Sequence, residues 1–95
     1  MTESFESYLD SFLSRVRTVL LERVQEYGPP ENSFRVLKSL WSGVLGQEVS
    51  ASRTVLLLSL LKVSRLAWDE DQPDSWIDLA GYAAIGSYLE SLEEG

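Results

Sequence analysis

The chain has 95 residues, a formal net charge of −7, and neither cysteine nor histidine. This composition excludes disulfides, thiol nucleophiles, Cys/His zinc sites and an imidazole base, so that only carboxylates remain to hold a hard cation such as Mg²⁺. The acidic charge disfavours nucleic acid and anionic lipid as partners, and no apolar run reaches the ~20 residues that span a bilayer. We therefore expect a cytoplasmic protein, with residues 1–95 forming one small domain.

The N-terminal segment is predicted to form a helix over about residues 4–27. Its apolar residues recur every three or four positions, as an amphipathic helix requires. They are Phe5, Tyr8, Leu9, Phe12, Leu13, Val16, Val19, Leu20 and Val24. The helix should end near Tyr27, because Gly28 is followed by two prolines that cannot continue it.

Two further helices are predicted over about residues 33–45 and 51–68. Asn32 or Ser33 is a suitable N-cap for the first of them, and Ser50 is a suitable N-cap for the second. The third helix is apolar almost all round, since residues 55–61 contain six aliphatic side chains and one serine. A helix of this kind needs neighbours on several sides, which three other helices cannot fully provide. This favours a homodimer or a homotetramer.

A fourth helix is predicted over about residues 74–92, with Asp74 or Ser75 as its cap. Its glycines, Gly81 and Gly86, cost roughly 1 kcal/mol each in helix propensity, which close approach of a neighbouring helix would offset. The four segments together predict an all-α, four-helix bundle-like domain that homo-oligomerisation completes.

Four charged residues lie at the junction of the third and fourth helices: Lys62, Arg65, Asp74 and Asp78. Residues three or four apart share a helix face, so two cations and two carboxylates should meet in one space. One interpretation is that Asp74 caps its helix and the others form interhelical salt bridges. The other is that Asp74 and Asp78 hold a divalent cation while Lys62 and Arg65 bind phosphate oxygens. The residue types leave both open.

A second acidic pair, Glu22 and Glu26, lies one turn apart near the end of the first helix. Carboxylates there repel each other and oppose the helix macrodipole, so a structural role explains them poorly. They are weaker candidates for metal ligands, with a solvated surface as the alternative. Tyr27, Asn32 and Tyr82 are candidates for a base-binding pocket, the alternatives being core packing for the tyrosines and helix capping for Asn32.

These residues together resemble a family of small phage and prophage proteins that is grouped with nucleotide-modification-associated domains. The matching elements extend over about residues 16–90 and run Arg23-x-x-x-Tyr27-Gly28, Asn32, Phe34, Trp41, Lys62-x-x-Arg65-Leu66 and Asp74-x-x-x-Asp78-Leu79-Ala80-Gly81-Tyr82-Ala83. The resemblance implies a nucleotide or a nucleotide-derived phosphate compound as the ligand. The residues expected to bind it are Lys62, Arg65, Arg23, Tyr27, Asn32 and Tyr82.

The arrangement is also remotely similar to the all-α NTP pyrophosphohydrolases of the MazG and dimeric dUTPase type, which hold Mg²⁺ between carboxylates of two helices. This similarity implies Mg²⁺ at Asp74 and Asp78. Where those enzymes carry an E-x-x-E motif, this chain has Lys62 and Arg65.

Three functions therefore remain open. The chain is either a Mg²⁺-dependent pyrophosphohydrolase, a non-enzymatic sponge for a nucleotide signal of host defence, or a structural or adaptor oligomer. In each case the host cytoplasm is the expected location.

Overall fold

The computed structural model describes residues 4–94, which form four α-helices: α1 (Phe5–Tyr27), α2 (Pro30–Leu45), α3 (Ala51–Trp68) and α4 (Pro73–Glu94). Residues 4–94 contain no strand, and the prediction of an all-α fold with four helices is confirmed. The most extensive contact is between α3 and α4, while α2 lies against α3 and α1 lies against α4. Ser52 bonds to Glu90 at one end of α3, and Lys62 meets Asp78 nearer the other end, so α3 and α4 are antiparallel.

Short-range hydrogen bonds begin α3 and end α1 where the sequence indicates. The Ser50 hydroxyl accepts a hydrogen bond from the Arg53 N–H at 3.1 Å and caps α3, as predicted. Gly28 ends α1 with a φ of 83°, a left-handed value that side chains other than glycine rarely adopt. Its N–H donates to the Val24 carbonyl at 2.8 Å, which satisfies one of the last carbonyls of the helix.

The predicted start of α2 was wrong. The helix begins at Pro30 rather than after Asn32 or Ser33, because proline has the right φ for the first helical position and lacks only an N–H that would be unpaired there. The Asn32 side chain caps nothing, since its amide oxygen accepts a hydrogen bond from Arg35 at 3.2 Å. The Ser33 hydroxyl donates to the Pro30 carbonyl.

The same effect of proline shifts the start of α4, which begins at Pro73. Asp74 therefore lies in the first turn of the helix and does not cap it. The Gln72 carbonyl accepts the Ser75 N–H at 3.1 Å, and the Ser75 hydroxyl donates to the Gln72 side-chain oxygen at 3.3 Å. Asp74 keeps a carboxylate near the positive end of the helix dipole, which stabilises the first turn.

Two glycines of α4 let its neighbours approach closely. A Cβ atom at Gly81 would lie 3.1 Å from a methyl of Leu20 on α1, and one at Gly86 would lie 3.4 Å from a methyl of Val55 on α3. The missing side chains therefore set the separation between α4 and both neighbouring helices. The close approach expected from the small residues of α4 is confirmed at these two positions.

A hydrogen bond between side chains ties α2 to α4. The Tyr88 hydroxyl donates to a Glu31 carboxylate oxygen at 2.6 Å. This bond, together with the charge of Glu31, raises the pKa of the Tyr88 hydroxyl above its ordinary value of 10.0. The bond requires the protonated hydroxyl, so it is complete below pH 10 and is lost as the pH rises through the raised pKa.

The buried core is small for the size of the chain. Its apolar members are Val16, Val49, Val55, Leu66, Ile77 and Leu89. The side chains of Phe5, Val44 and Trp68 are at least 77% exposed, and many other large apolar side chains are exposed as well. Within the described residues, no helix has the length and apolar character to cross a membrane.

Leucine at Gly81 should destabilise the fold, whereas leucine at Gly43 should not. Gly43 lies inside α2 with no atom in reach of an added Cβ, so Gly43→Leu should raise the free energy of unfolding by about 0.5–1 kcal/mol through helix propensity. Gly81→Leu should lower it by about 1–3 kcal/mol, because the side chain collides with Leu20. Urea denaturation at one protein concentration measures both. Equal effects at the two positions would contradict the close contact of α1 and α4.

Candidate functional site

An open cleft of about 700 Å³ lies between the C-terminal part of α1, the C-terminal part of α3 and the first turns of α4. We call it the charged cleft, because seven of its lining residues have charged side chains, some positive and some negative: Glu22, Arg23, Glu26, Lys62, Arg65, Asp74 and Asp78. Tyr27 lies at the same wall as Arg23. Eight of the ten residues predicted for a site are thus brought together.

The helical repeat explains why these side chains meet. On α1, Val19, Arg23 and Glu26 recur at spacings of four and three, so they share the face that α4 covers. Lys62 and Arg65 are one turn apart on α3, and Asp74 and Asp78 are one turn apart on α4. The close approach at Gly81, one turn beyond Asp78, brings α1 near enough to add its charges.

Asp78 is the point at which the three helices are joined electrostatically. Its Oδ2 lies 2.8 Å from Lys62 Nζ, and its Oδ1 lies 3.7 Å from Arg23 Nη2. The Lys62 and Asp78 side chains are only 14% and 18% exposed, whereas Arg23 is 58% exposed. The contact with Lys62 is therefore a short, largely desolvated salt bridge, and the contact with Arg23 is longer and well solvated.

Arg65 is the one cation of the charged cleft whose side chain makes no ion pair with a described residue. Its backbone carbonyl accepts a hydrogen bond from Gln72 Nε2 at 3.4 Å, which leaves the guanidinium uninvolved. Because the lining carries three cations and four carboxylates, its charges nearly cancel. Anion binding there depends on direct contact with Arg65 and Arg23, and long-range attraction contributes little.

The predicted magnesium ligands, Asp74 and Asp78, both line the charged cleft. Residues 4–94 contain no group of three or more carboxylates spaced to hold one metal ion. Asp78 already lies between two cations, and a divalent ion bound to it would have to compete with Lys62. Glu22, Glu26 and Asp74 line the cleft without converging on a common point. Magnesium ligation by Asp74 and Asp78 stays a prediction that the geometry of this conformation does not fit.

Two predicted ligand residues lie outside the charged cleft. Asn32 is exposed on α2 and bonds to Arg35. Tyr82 is half-buried on α4 and borders a separate apolar hollow of about 250 Å³, which shares Arg23 and Tyr27 with the charged cleft. The spacing of residues along the chain did not distinguish these neighbouring hollows, because the rotation of each helix decides which one a side chain enters.

Sequence reasoning missed two polar residues of the charged cleft. Gln72 and Ser75 line it, with Ser75 only 4% exposed. Gln72 was taken as part of a loop and Ser75 as a possible cap. Pro73 could have indicated both residues from the sequence. A proline often occupies the first helical position, which would place Gln72 at the cap and Ser75 in the first turn.

The fold and the charged cleft define a small all-α protein with an ionisable site between three helices. The chain belongs to the family described as domain of unknown function DUF6378, whose model matches residues 12–90.

Two phage proteins are similar to the chain in sequence. The Gene 55 protein of Mycobacterium phage D29 is 37% identical over 62 residues, which cover 65% of this chain and 41% of that protein. The Gene 55 protein of Mycobacterium phage L5 is 26% identical over 74 residues, 77% of this chain and 47% of that protein. The chain spans less than half the length of these curated relatives. No solved structure shows significant similarity to it.

The similarity to these two phage proteins confirms the expected relation to phage proteins. The names of the relatives carry no link to nucleotide-modification domains or to MazG-type pyrophosphohydrolases.

Removal of the Lys62 charge should destabilise the protein much more than removal of the Arg65 charge. Lys62→Met keeps the apolar stem but leaves Asp78 with only the long contact to Arg23, so the free energy of unfolding should fall by about 1–3 kcal/mol. Arg65→Met breaks no ion pair and should change it by less than about 0.5 kcal/mol. Chemical denaturation of both variants at pH 7 tests this. A Lys62→Met variant as stable as Arg65→Met would contradict a structural role for the bridge.

Proposed function

We propose that this protein binds a phosphate-bearing small molecule of the nucleotide class in the charged cleft, without turning it over. The observation that carries the proposal is the Arg65 guanidinium, a cation that lines a cleft and has no ion-pair partner among the described residues. A guanidinium presents a planar fork of donors that matches phosphate oxygens. Arg23, 58% exposed and only loosely held by Asp78, is the second donor.

The dimensions and lining of the cleft suit such a ligand. Its volume of about 700 Å³ falls within the range of small-molecule sites. Tyr27 is 70% exposed at the edge of the cleft and offers a ring face on which a base can stack. Val19 and Ile77 supply apolar contact surface. The phosphate would lie towards Arg65 and Arg23, with the base on Tyr27.

The distribution of charge supports a role without catalysis. Asp78 is engaged by Lys62 and Arg23, and the remaining carboxylates do not converge on a metal position. A protein of this kind would hold a nucleotide and release it unchanged. In a phage setting, such binding would sequester a nucleotide signal used by host defence.

The second candidate is the MazG-like pyrophosphohydrolase. It is favoured by the carboxylates of Glu22, Glu26 and Asp74, which line the same cleft as the two arginines and make no ion pair with a described residue. It requires those carboxylates to move together when a nucleotide arrives. The structural or adaptor role is favoured by the short Lys62–Asp78 bridge alone.

Thermal shifts with a nucleotide panel should distinguish these functions. Linear and cyclic nucleotides are added with Mg²⁺ or with EDTA, and binding should raise the melting temperature in both, by the equivalent of about 2.7 kcal/mol at a hundredfold excess over the dissociation constant. Arg65→Ala should abolish the shift. Arg17→Ala is the matched control, because Arg17 is an exposed arginine on α1 that does not line the charged cleft.

The other outcomes are equally specific. A shift that needs Mg²⁺, with pyrophosphate release that Asp78→Asn abolishes, would replace the proposal with the pyrophosphohydrolase. No shift with any nucleotide in either condition would overturn binding and leave the structural role. A shift that Arg17→Ala removes as fully as Arg65→Ala would contradict the assignment to the cleft.

A further inference from the structure

The side of α3 that faces away from its neighbours carries an exposed apolar stripe. On the inner side of the helix, Thr54, Val55 and Leu66 are buried. At 100° per residue, the opposite side is occupied by residues spaced four, three and four positions apart. We call them the α3 stripe: Leu56, Leu60, Val63 and Ala67. The three larger side chains are 66%, 61% and 48% exposed, so the stripe is open along three turns.

The chain exposes more surface than a compact monomer of its mass, and the excess is larger than one partner's share of a dimer interface of standard size. Its accessible surface is 7071 Å², against about 5,500 Å² for a compact monomer of 10.7 kDa. Its radius of gyration is 15.0 Å, against about 12.4 Å for a compact chain of this length. The excess of roughly 1,500 Å² exceeds the ~800 Å² that each partner buries in an interface of standard size.

The charge distribution favours a second copy of this chain as the partner on α3. Two copies of a protein with a net charge of −7 repel each other, and the repulsion at the contact is least where they meet through a surface that lacks carboxylates. Residues 51–68, which form α3, contain no Asp or Glu, whereas α1, α2 and α4 each contain at least one. The α3 stripe is therefore the apolar surface across which self-association meets the least repulsion.

The sequence of the stripe is also self-complementary. In an antiparallel pair of α3 helices, a two-fold axis can pass between positions 61 and 62. Each residue of one copy then lies opposite the residue of the other copy for which the two residue numbers add up to 123. Leu56 then faces Ala67 of the second copy, and Leu60 faces Val63, so large and small side chains alternate across the contact. At both ends, this axis places Arg53 of one copy near the C-terminal end of α3 of the other, where the acidic residues 69–71 follow the helix. Neither Arg53 nor Glu70 forms an ion pair with a described residue of its own chain.

We propose that a second copy of this chain docks antiparallel on the α3 stripe, with Arg53 of each copy attracted to Glu70 in the acidic segment that follows α3 of the other. This isologous arrangement has two-fold symmetry and closes at two chains. Lys62 and Arg65 lie on the inner side of α3, so dimerisation leaves the charged cleft open. The proposed dimer therefore does not depend on the proposed ligand binding, and each can be tested without the other.

Light scattering coupled to size exclusion should give twice the 10.7 kDa of one chain at micromolar concentration. Leu60→Glu should raise the dimer dissociation constant at least tenfold, because it places a carboxylate in the apolar interface. The monomer should stay folded, because Leu60 is exposed in the single chain. Leu40→Glu on α2 is the matched control, since Leu40 and Leu60 are equally exposed, at 61% each. Circular dichroism checks that both variants remain helical.

Charge exchange tests the register. Arg53→Glu and Glu70→Arg should each weaken the dimer several-fold, and the double variant should restore it. A monomeric parent protein, or dissociation caused by Leu40→Glu and not by Leu60→Glu, would overturn the proposed interface. Failure of the double variant to restore the dimer would overturn the antiparallel pairing.

Discussion

The salt bridge between Lys62 and Asp78 is the interaction on which the arrangement of the helices and of the charged cleft depends. It joins α3 to α4 through a distance of 2.8 Å between Lys62 Nζ and Asp78 Oδ2, and both side chains are less than one-fifth exposed. Arg23 of α1 contacts the other oxygen of the same carboxylate. The helices can approach this closely because α4 has no side chain at Gly81, where it contacts α1, or at Gly86, where it contacts α3. A short charged contact and two missing side chains therefore position three helices whose buried apolar core is small.

The same interaction determines what the cleft can do. Because Asp78 neutralises Lys62, the charge that remains for a ligand lies on Arg65 and, in part, on Arg23. The carboxylates of Glu22, Glu26 and Asp74 make the walls nearly neutral and oppose indiscriminate anion binding. Selectivity would therefore depend on the fit of a phosphate to the guanidinium fork and of a base to Tyr27.

Much of the fold and part of the site could be predicted from the sequence. The spacing of apolar residues predicted four helices. The spacing of charges predicted that Lys62, Arg65, Asp74 and Asp78 lie close together, and all four line the charged cleft. α2 begins three residues earlier than predicted and α4 one residue earlier, because Pro30 and Pro73 occupy first helical positions. The sequence could not show that Asn32 and Tyr82 lie outside the charged cleft, because spacing along one helix does not fix its rotation against another.

Nuclear magnetic resonance of the arginine side chains tests the central claim most directly. In a ¹⁵N–¹H titration with inorganic pyrophosphate, the Nε–Hε signal of Arg65 should move most and that of Arg23 should follow, since both line the charged cleft. The signals of Arg15 and Arg17, which are exposed on α1 and lie outside the cleft, should stay in place. Shifts of equal size at all arginines, or an Arg65 signal that does not move, would contradict the account.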